Sequence, residues 1–162
     1  MPKVTYRRLM PTDTPKVINM KLDPSDYQEA LDGSGCTTSS SALMTCLRIS
    51  KVTWVIEEGS GPDKSIIGVF GLGSREGQVH PWLLGSPSLH QQHALTLCRG
   101  GRKVVADWKQ RFPYMLNVVW EKNERAIKWL KWLGFRFPEG EQMKVNGNIY
   151  LKFEMHGGPP DV

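Results

Sequence analysis

The stretch NERAIKWLKWLGF, running from Asn123 to Phe135, decides how the chain is read. Asn123 is a good N-cap, because its short side chain accepts from the orphan amides of a first helical turn. Ala126, Ile127, Leu130 and Leu133 then recur at i, i+1, i+4 and i+7, an apolar stripe of helical period. Gly134 stands where a helix-ending residue with positive φ belongs, and Phe135 restarts an extended segment. These residues predict a helix laid on a sheet.

Composition sets the outer bounds. A chain of 162 residues suits a single domain with its own core, expected over residues 1–156, with a frayed tail at 157–162. Hydrophobic content of 40%, with six Trp, argues for a folded chain rather than a disordered one. The longest apolar runs, such as Ile66 to Leu72, are too short to span a bilayer. Lys3, Arg7 and Arg8 precede no apolar run, so no secretory leader is expected. Cys36, Cys46 and Cys98 lack CxxC spacing and fit reduced, partly buried thiols better than a disulfide framework or a metal site.

Outward from the Asn123 helix, the elements come in a definite order. Val4–Leu9 reads as a strand. Thr12 or Asp13 caps a short helix through Ile18, Pro24 and Ser25 open another toward Leu31, and Ser39–Ile49 is a third. Val52–Glu58 and Ser65–Leu72 are β-rich runs around the loop Gly59–Asp63, and Gln78–Leu84 is a further strand. A helical region follows from Ser88 to Arg111. Ser88 and Gln91 form a capping box, and Gly100-Gly101 is expected to interrupt the helix, since each glycine costs about 1 kcal/mol relative to Ala. Tyr114–Trp120 is strand, and after the Asn123 helix come Phe135–Phe137 and Asn148–Met155. The class is α/β (α+β).

That helix resembles the last helix of the GNAT family of N-acetyltransferases, which reads N-x-x-A-I-x-L-Y-x-x-L-G-F. Asn123, Ala126, Ile127, Leu133, Gly134 and Phe135 match, and the order of elements matches over nearly the whole chain. The resemblance implies a central twisted mixed sheet of six or seven strands flanked by helices, with Gln78–Leu84 and Tyr114–Trp120 parallel. It implies acetyl-CoA as cofactor if the protein is active. Two departures stand against activity. Leu130 occupies the place of the family's tyrosine, which often protonates the departing thiolate, and no R/Q-x-x-G-x-G/A phosphate loop occurs between Trp82 and Val105.

The candidate site residues are therefore weak ones. Arg99, Gly100, Gly101 and Arg102 offer bare amides and two guanidinium groups to a pyrophosphate, against the simpler reading of a solvated basic corner. Ser86 and Ser88 offer a phosphate contact or simple capping. For acid and base, Glu57, Glu58, Glu76 and His80 lie on or beside the central strands, and Tyr114 is a substitute acid. Glu57 and Glu58 adjoin a hairpin loop and are expected to face solvent.

Within GNAT-like proteins the chain resembles internal virion protein A of short-tailed bacteriophages. The residues carrying this are Trp82, Gly85 and Ser86; Asn117, Val119 and Trp120; the Asn123 helix with Lys128, Trp129, Leu130 and Lys131; and Gly147, Ile149, Leu151 and Phe153. That group likewise lacks the tyrosine and the glycine-rich loop. The resemblance implies a protein without acetyltransferase activity, acting by contacts with other virion proteins or a host protein in assembly of the internal core and ejection apparatus. Its expected place is the host cytoplasm, with virion association. The alternative is an acetyl-CoA-dependent N-acetyltransferase acting on a host protein or small amine. A net charge of +5, with Arg99, Arg102, Lys103, Lys109 and Arg111 on one helix and Lys122, Arg125, Lys128 and Lys131 on the next, also allows nonspecific DNA contact.

Overall fold

The computed structural model describes residues 2–158. The chain runs β1 (Val4–Arg8), α1 (Thr14–Ile18), α2 (Pro24–Ser34), α3 (Ser39–Ile49), β2 (Ser50–Glu58), β3 (Ser65–Arg75) and β4 (Gln78–Gly85). It continues with α4 (Pro87–Gln92), α5 (Ala94–Arg111), β5 (Tyr114–Trp120), α6 (Glu124–Leu133), β6 (Gln142–Val145) and β7 (Asn148–His156). Seven strands make one mixed sheet in the order β1-β2-β3-β4-β5-β7-β6. The pair β4–β5 is parallel, as expected of two strands joined through a helical crossover. The pairs β1–β2, β2–β3, β5–β7 and β6–β7 are antiparallel. Among the described residues no helix is long and apolar enough to cross a membrane.

Two compact units divide the chain. One holds the residues up to Ser74 with Trp82–Ala94, and the other holds Arg75–Pro81 with Leu95 onward. The first has a core of Val17, Ala30, Ala42 and Leu43 from its helices, with Met20 and Leu22 from the segment between α1 and α2, against Val55, Val69 and Leu84 from its strands. Its helices start where side chains satisfy orphan amides. Asp23 accepts from Ser25 N with Pro24 at the first position, and Thr38 Oγ1 accepts from Ser41 N. Gly35, at φ 72°, closes α2.

The second unit buries Val105, Trp108, Met115, Val119, Leu130, Phe135, Phe153 and Met155. Asn123 Oδ1 accepts from Ala126 N at 3.3 Å, and Gly134 ends α6 at φ 105°. Trp108 is buried, whereas Trp120 and Trp129 are half-buried; Lys122, Arg125 and Lys128 are exposed. Phe135 packs edge-to-face on Phe153, with centroids 5.2 Å apart.

Three sequence expectations change. Phe135–Phe137 is not a strand. Only Arg136 pairs, in an isolated bridge with Glu154, and β7 pairs with β5 on one side and β6 on the other. The turn joining β6 and β7 is Asn146-Gly147, both at positive φ, a two-residue hairpin whose signal was present in the sequence. The helix before β5 does not break at Gly100-Gly101. It breaks at His93, and α5 runs unbroken from Ala94 to Arg111. Finally, Gly157 N and Gly158 N donate to Pro113 O and Lys109 O, so these two residues of the expected tail are bonded; 159–162 lie outside the described residues.

Candidate functional site

In the second unit, β4 and β5 share one registered pair, Val79 opposite Met115. The next residues explain why the ladder stops. Pro81 has no amide to donate, so a ladder bond is lost at that position. Side chains take over. His80 Nδ1 donates to Leu116 O at 2.8 Å, and Asn117 Nδ2 donates to Pro81 O at 2.9 Å. Asn117 Oδ1 meanwhile accepts from Val118 N. The His80 bond fixes a neutral imidazole as the Nδ1–H tautomer and leaves a lone pair on Nε2.

In the first unit, the turn after β4 is closed by protein groups. Gly85 N donates to Asp26 Oδ2 at 2.8 Å and Ser86 N donates to Ile67 O at 2.9 Å. Pro87 has no amide, and Leu89 N bonds back to Ser86 O. His90 Nε2 donates to the same Asp26 Oδ2 at 2.7 Å. A Cβ at Gly85 would stand 2.5 Å from Leu89 Cδ2, so a side chain here would displace Leu89 of α4. Helix α4 starts after Ser86 with Pro87 at its first position, two residues ahead of the expected Ser88–Gln91 capping box. Ser86 Oγ and Ser88 Oγ bond each other at 3.0 Å.

Asp23 stands close by. Ligand atoms of Asp23, Asp26 and His90 lie within 4.8 Å of one another, a donor set that suits a divalent cation in kind. Asp26 is already bonded to Gly85 and His90, and Asp23 to Ser25, which accounts for the cluster as a strut from α2 to the β4–α4 corner. Sequence reasoning missed Asp26, because its partners are 59 and 64 positions away.

The remaining candidates are placed as follows. Glu57 is buried rather than solvent-facing, because Arg7 Nε donates to it at 3.0 Å while the same guanidinium holds Asp13 at 2.8 and 2.9 Å. Those bonds keep the Asp13 carboxyl below its ordinary value. Glu58 is half-buried and accepts from the buried His93 at 2.5 Å. Glu76 is exposed in the turn Glu76-Gly77. Tyr114 lies on the other side of the Val79–Met115 pair from Asn117, and its hydroxyl donates to Glu154 Oε2 at 2.9 Å. Glu154 is held below its usual carboxylate value first by Arg136 and then by Tyr114.

Arg99, Gly100, Gly101 and Arg102 lie in the second and third turns of α5, where backbone amides bond within the helix rather than standing bare. Gly101 has a packing role, since a Cβ there would meet Trp129 Cζ2 at 3.0 Å and Leu133 Cδ2 at 3.4 Å. Of the motif residues, Asn123 caps α6, Gly134 ends it and Phe135 fills the core, while Ala126 and Ile127 are half-buried on its inner side. Leu130 is buried, at 8% exposure.

The acetyl-CoA implied by the resemblance does not fit these residues well. The turn after β4 has its Gly85 and Ser86 amides bonded to protein acceptors and a proline next in line.

No protein-family model matches this sequence, and no curated protein is similar to it in sequence. Similarity appears at the level of structure. NAA60 of Arabidopsis thaliana, solved with a bisubstrate analogue, superposes with a TM-score of 0.63 at 16% identity over 95% of this chain and 98% of its own. A ribosomal-protein-S5-alanine acetyltransferase from Vibrio fischeri gives 0.63 at 15% identity, covering 97% of each chain. A spermidine N-acetyltransferase SpeG chimera from Vibrio cholerae and hSSAT gives 0.65 at 15% identity, over 94% of this chain and 95% of its own. With its seven-stranded mixed sheet, parallel at β4–β5 and flanked by helices, this chain has the fold of the GNAT acetyltransferases.

Proposed function

We propose that this is a GNAT-fold protein that works through contacts with other proteins and does not transfer acetyl groups. The observation that carries this reading is the turn after β4. There the family places a pyrophosphate on free amides, the physics of anions at helix N-termini. Here an internal carboxylate, Asp26, accepts the Gly85 amide instead, and Ser86 N is bonded to Ile67. Leu130 adds to it, because an apolar side chain cannot protonate a leaving thiolate. The role in virion assembly rests on the resemblance of Trp82, Gly85, Ser86, Asn117, Trp120 and the Asn123 helix to internal virion protein A, and with it the host-cytoplasmic and virion-associated location.

Thermal unfolding with and without acetyl-CoA tests the reading. A ligand at 100 times its dissociation constant adds about 2.7 kcal/mol to stability. The expected result is no shift for the wild type at millimolar acetyl-CoA. A shift that Pro81 and Gly85 substitutions abolish, with acetyl transfer to an amine, overturns it.

One observation favours the second reading, acyl transfer to a protein or small amine. Pro81 ends the β4–β5 ladder, and His80 beside it keeps a lone pair on Nε2 able to take a proton from an amine. In that case His80→Ala lowers turnover at least 100-fold while leaving acetyl-CoA binding unchanged.

A further inference from the structure

The basic charge of this protein is concentrated. Residues 95–136 hold ten Lys or Arg against three Asp or Glu, a net +7, so the rest of the chain is net −2 within the overall +5. In the same unit a groove of about 310 Å³ opens between α5 and the end of α6, lined by Arg102, Ala106, Lys109, Trp132, Leu133 and Met155. Trp132 is 45% exposed, unusual for the largest apolar side chain, and the Arg102 guanidinium lies 3.8 Å from its ring centroid. Arg102 and Lys109 are seven residues apart on one helix, which places them on one face about 10 Å apart along the axis.

We propose that this groove binds single-stranded nucleic acid, with a base against Trp132 and phosphates on Arg102 and Lys109. An exposed aromatic face interleaved with cations is the chemistry that takes unpaired bases without sequence preference. The guanidinium already stacked on the indole shows that the ring accepts a flat partner, and a base can slide between or beside them. A duplex offers no free base face, and its affinity would come from the charge alone. An acidic peptide would use the cations and leave the indole idle. The groove is large enough for about one nucleotide, which limits readout to stacking and backbone charge. This inference stands apart from the question of acetyl transfer.

Fluorescence anisotropy with a labelled oligo(dT), titrated at several salt concentrations, tests it. Log affinity is expected to fall linearly with log salt, with a slope of about −1.4 for the two phosphate contacts of Arg102 and Lys109. Trp132→Ala is expected to weaken oligo(dT) about tenfold at constant salt slope, and Trp132→Phe to restore most of it. Lys109→Ala should lower affinity and make the slope shallower by about 0.7. Both sites are on the helix surface, and far-ultraviolet circular dichroism confirms that each variant is folded. Three outcomes overturn the proposal: no binding at 50 mM salt, loss of binding that ignores Trp132, or heparin and an acidic peptide binding with the same dependence on Trp132.

Discussion

Asp26 of α2 and Gly85 of β4 are joined by a backbone-to-carboxylate hydrogen bond of 2.8 Å, and His90 of α4 donates to the same oxygen at 2.7 Å. One buried acceptor therefore ties three elements together at the β4–α4 corner. Removing that carboxylate leaves a buried amide and an imidazole without their acceptor, at a cost of about 1–3 kcal/mol. Asp26→Ala is expected to lower the unfolding free energy read from urea denaturation by that amount, with Asp26→Asn in between because its amide oxygen still accepts from Gly85. An Asp26→Ala protein as stable as the wild type would show that the bond is incidental.

Gly100 and Gly101 separate by neighbourhood. A Cβ at Gly100 meets nothing within 4 Å, whereas at Gly101 it meets Trp129 at 3.0 Å. Gly100→Ala should therefore stabilise the protein by about 1 kcal/mol through helix propensity. Gly101→Ala should gain less or reverse sign, as Trp129 is forced to give way. Equal gains at both positions, read from thermal melts, would contradict the packing described for α5 and α6.

Leu130 is a packing residue on α6, buried at 8% exposure. Leu130→Ala should cost about 2–5 kcal/mol by opening a cavity. Leu130→Tyr adds volume to a filled core and should destabilise by about 1–3 kcal/mol. No acetyl transfer should appear in the tyrosine variant, checked by thiol release from acetyl-CoA.

Stability should fall in acid for an identifiable reason. Asp13 titrates below its ordinary value in the folded state, chiefly through its bonds from Arg7, and Glu154 does so through Arg136 and Tyr114. A folded pKa below the unfolded one means the unfolded chain binds protons first. The stabilisation is complete above the ordinary carboxylate range, near pH 4, and is lost as pH drops through the depressed values. Denaturant unfolding from about pH 6 down to about pH 2.5 should show this fall, and Asp13→Asn should flatten part of it.

The cysteines should react in order. Burial pushes the Cys46 thiol up to about 11, while hydrogen bonds with Ser34 and Thr45 lower that of Cys36. Because the thiolate is the reactive form, iodoacetamide near neutral pH should label Cys36 well before Cys46, as followed by peptide mass spectrometry.

The sequence by itself determined the local elements. Asn123, the apolar stripe through Leu130 and Gly134 fixed α6 because a cap, a period and a positive-φ stop are all encoded within one helix length. The apolar run within Ser39–Ile49 marked α3, and Gly59–Asp63 marked the turn between β2 and β3. With the order of strands and helices, these sufficed for a mixed sheet with a parallel β4–β5 pair.

Tertiary structure alone decided the site, because the bonds that join its elements link residues far apart in the chain. Nothing near Asp26 marks it as the acceptor for Gly85 and His90, and nothing near Glu57 announces that Arg7, 50 positions earlier, will bury it. Helical continuity at Gly100-Gly101 was also decided there. Packing of Trp129 and Leu133 against Gly101 outweighs the weak local cost of two glycines, since propensity is a small term beside the burial of a helix face.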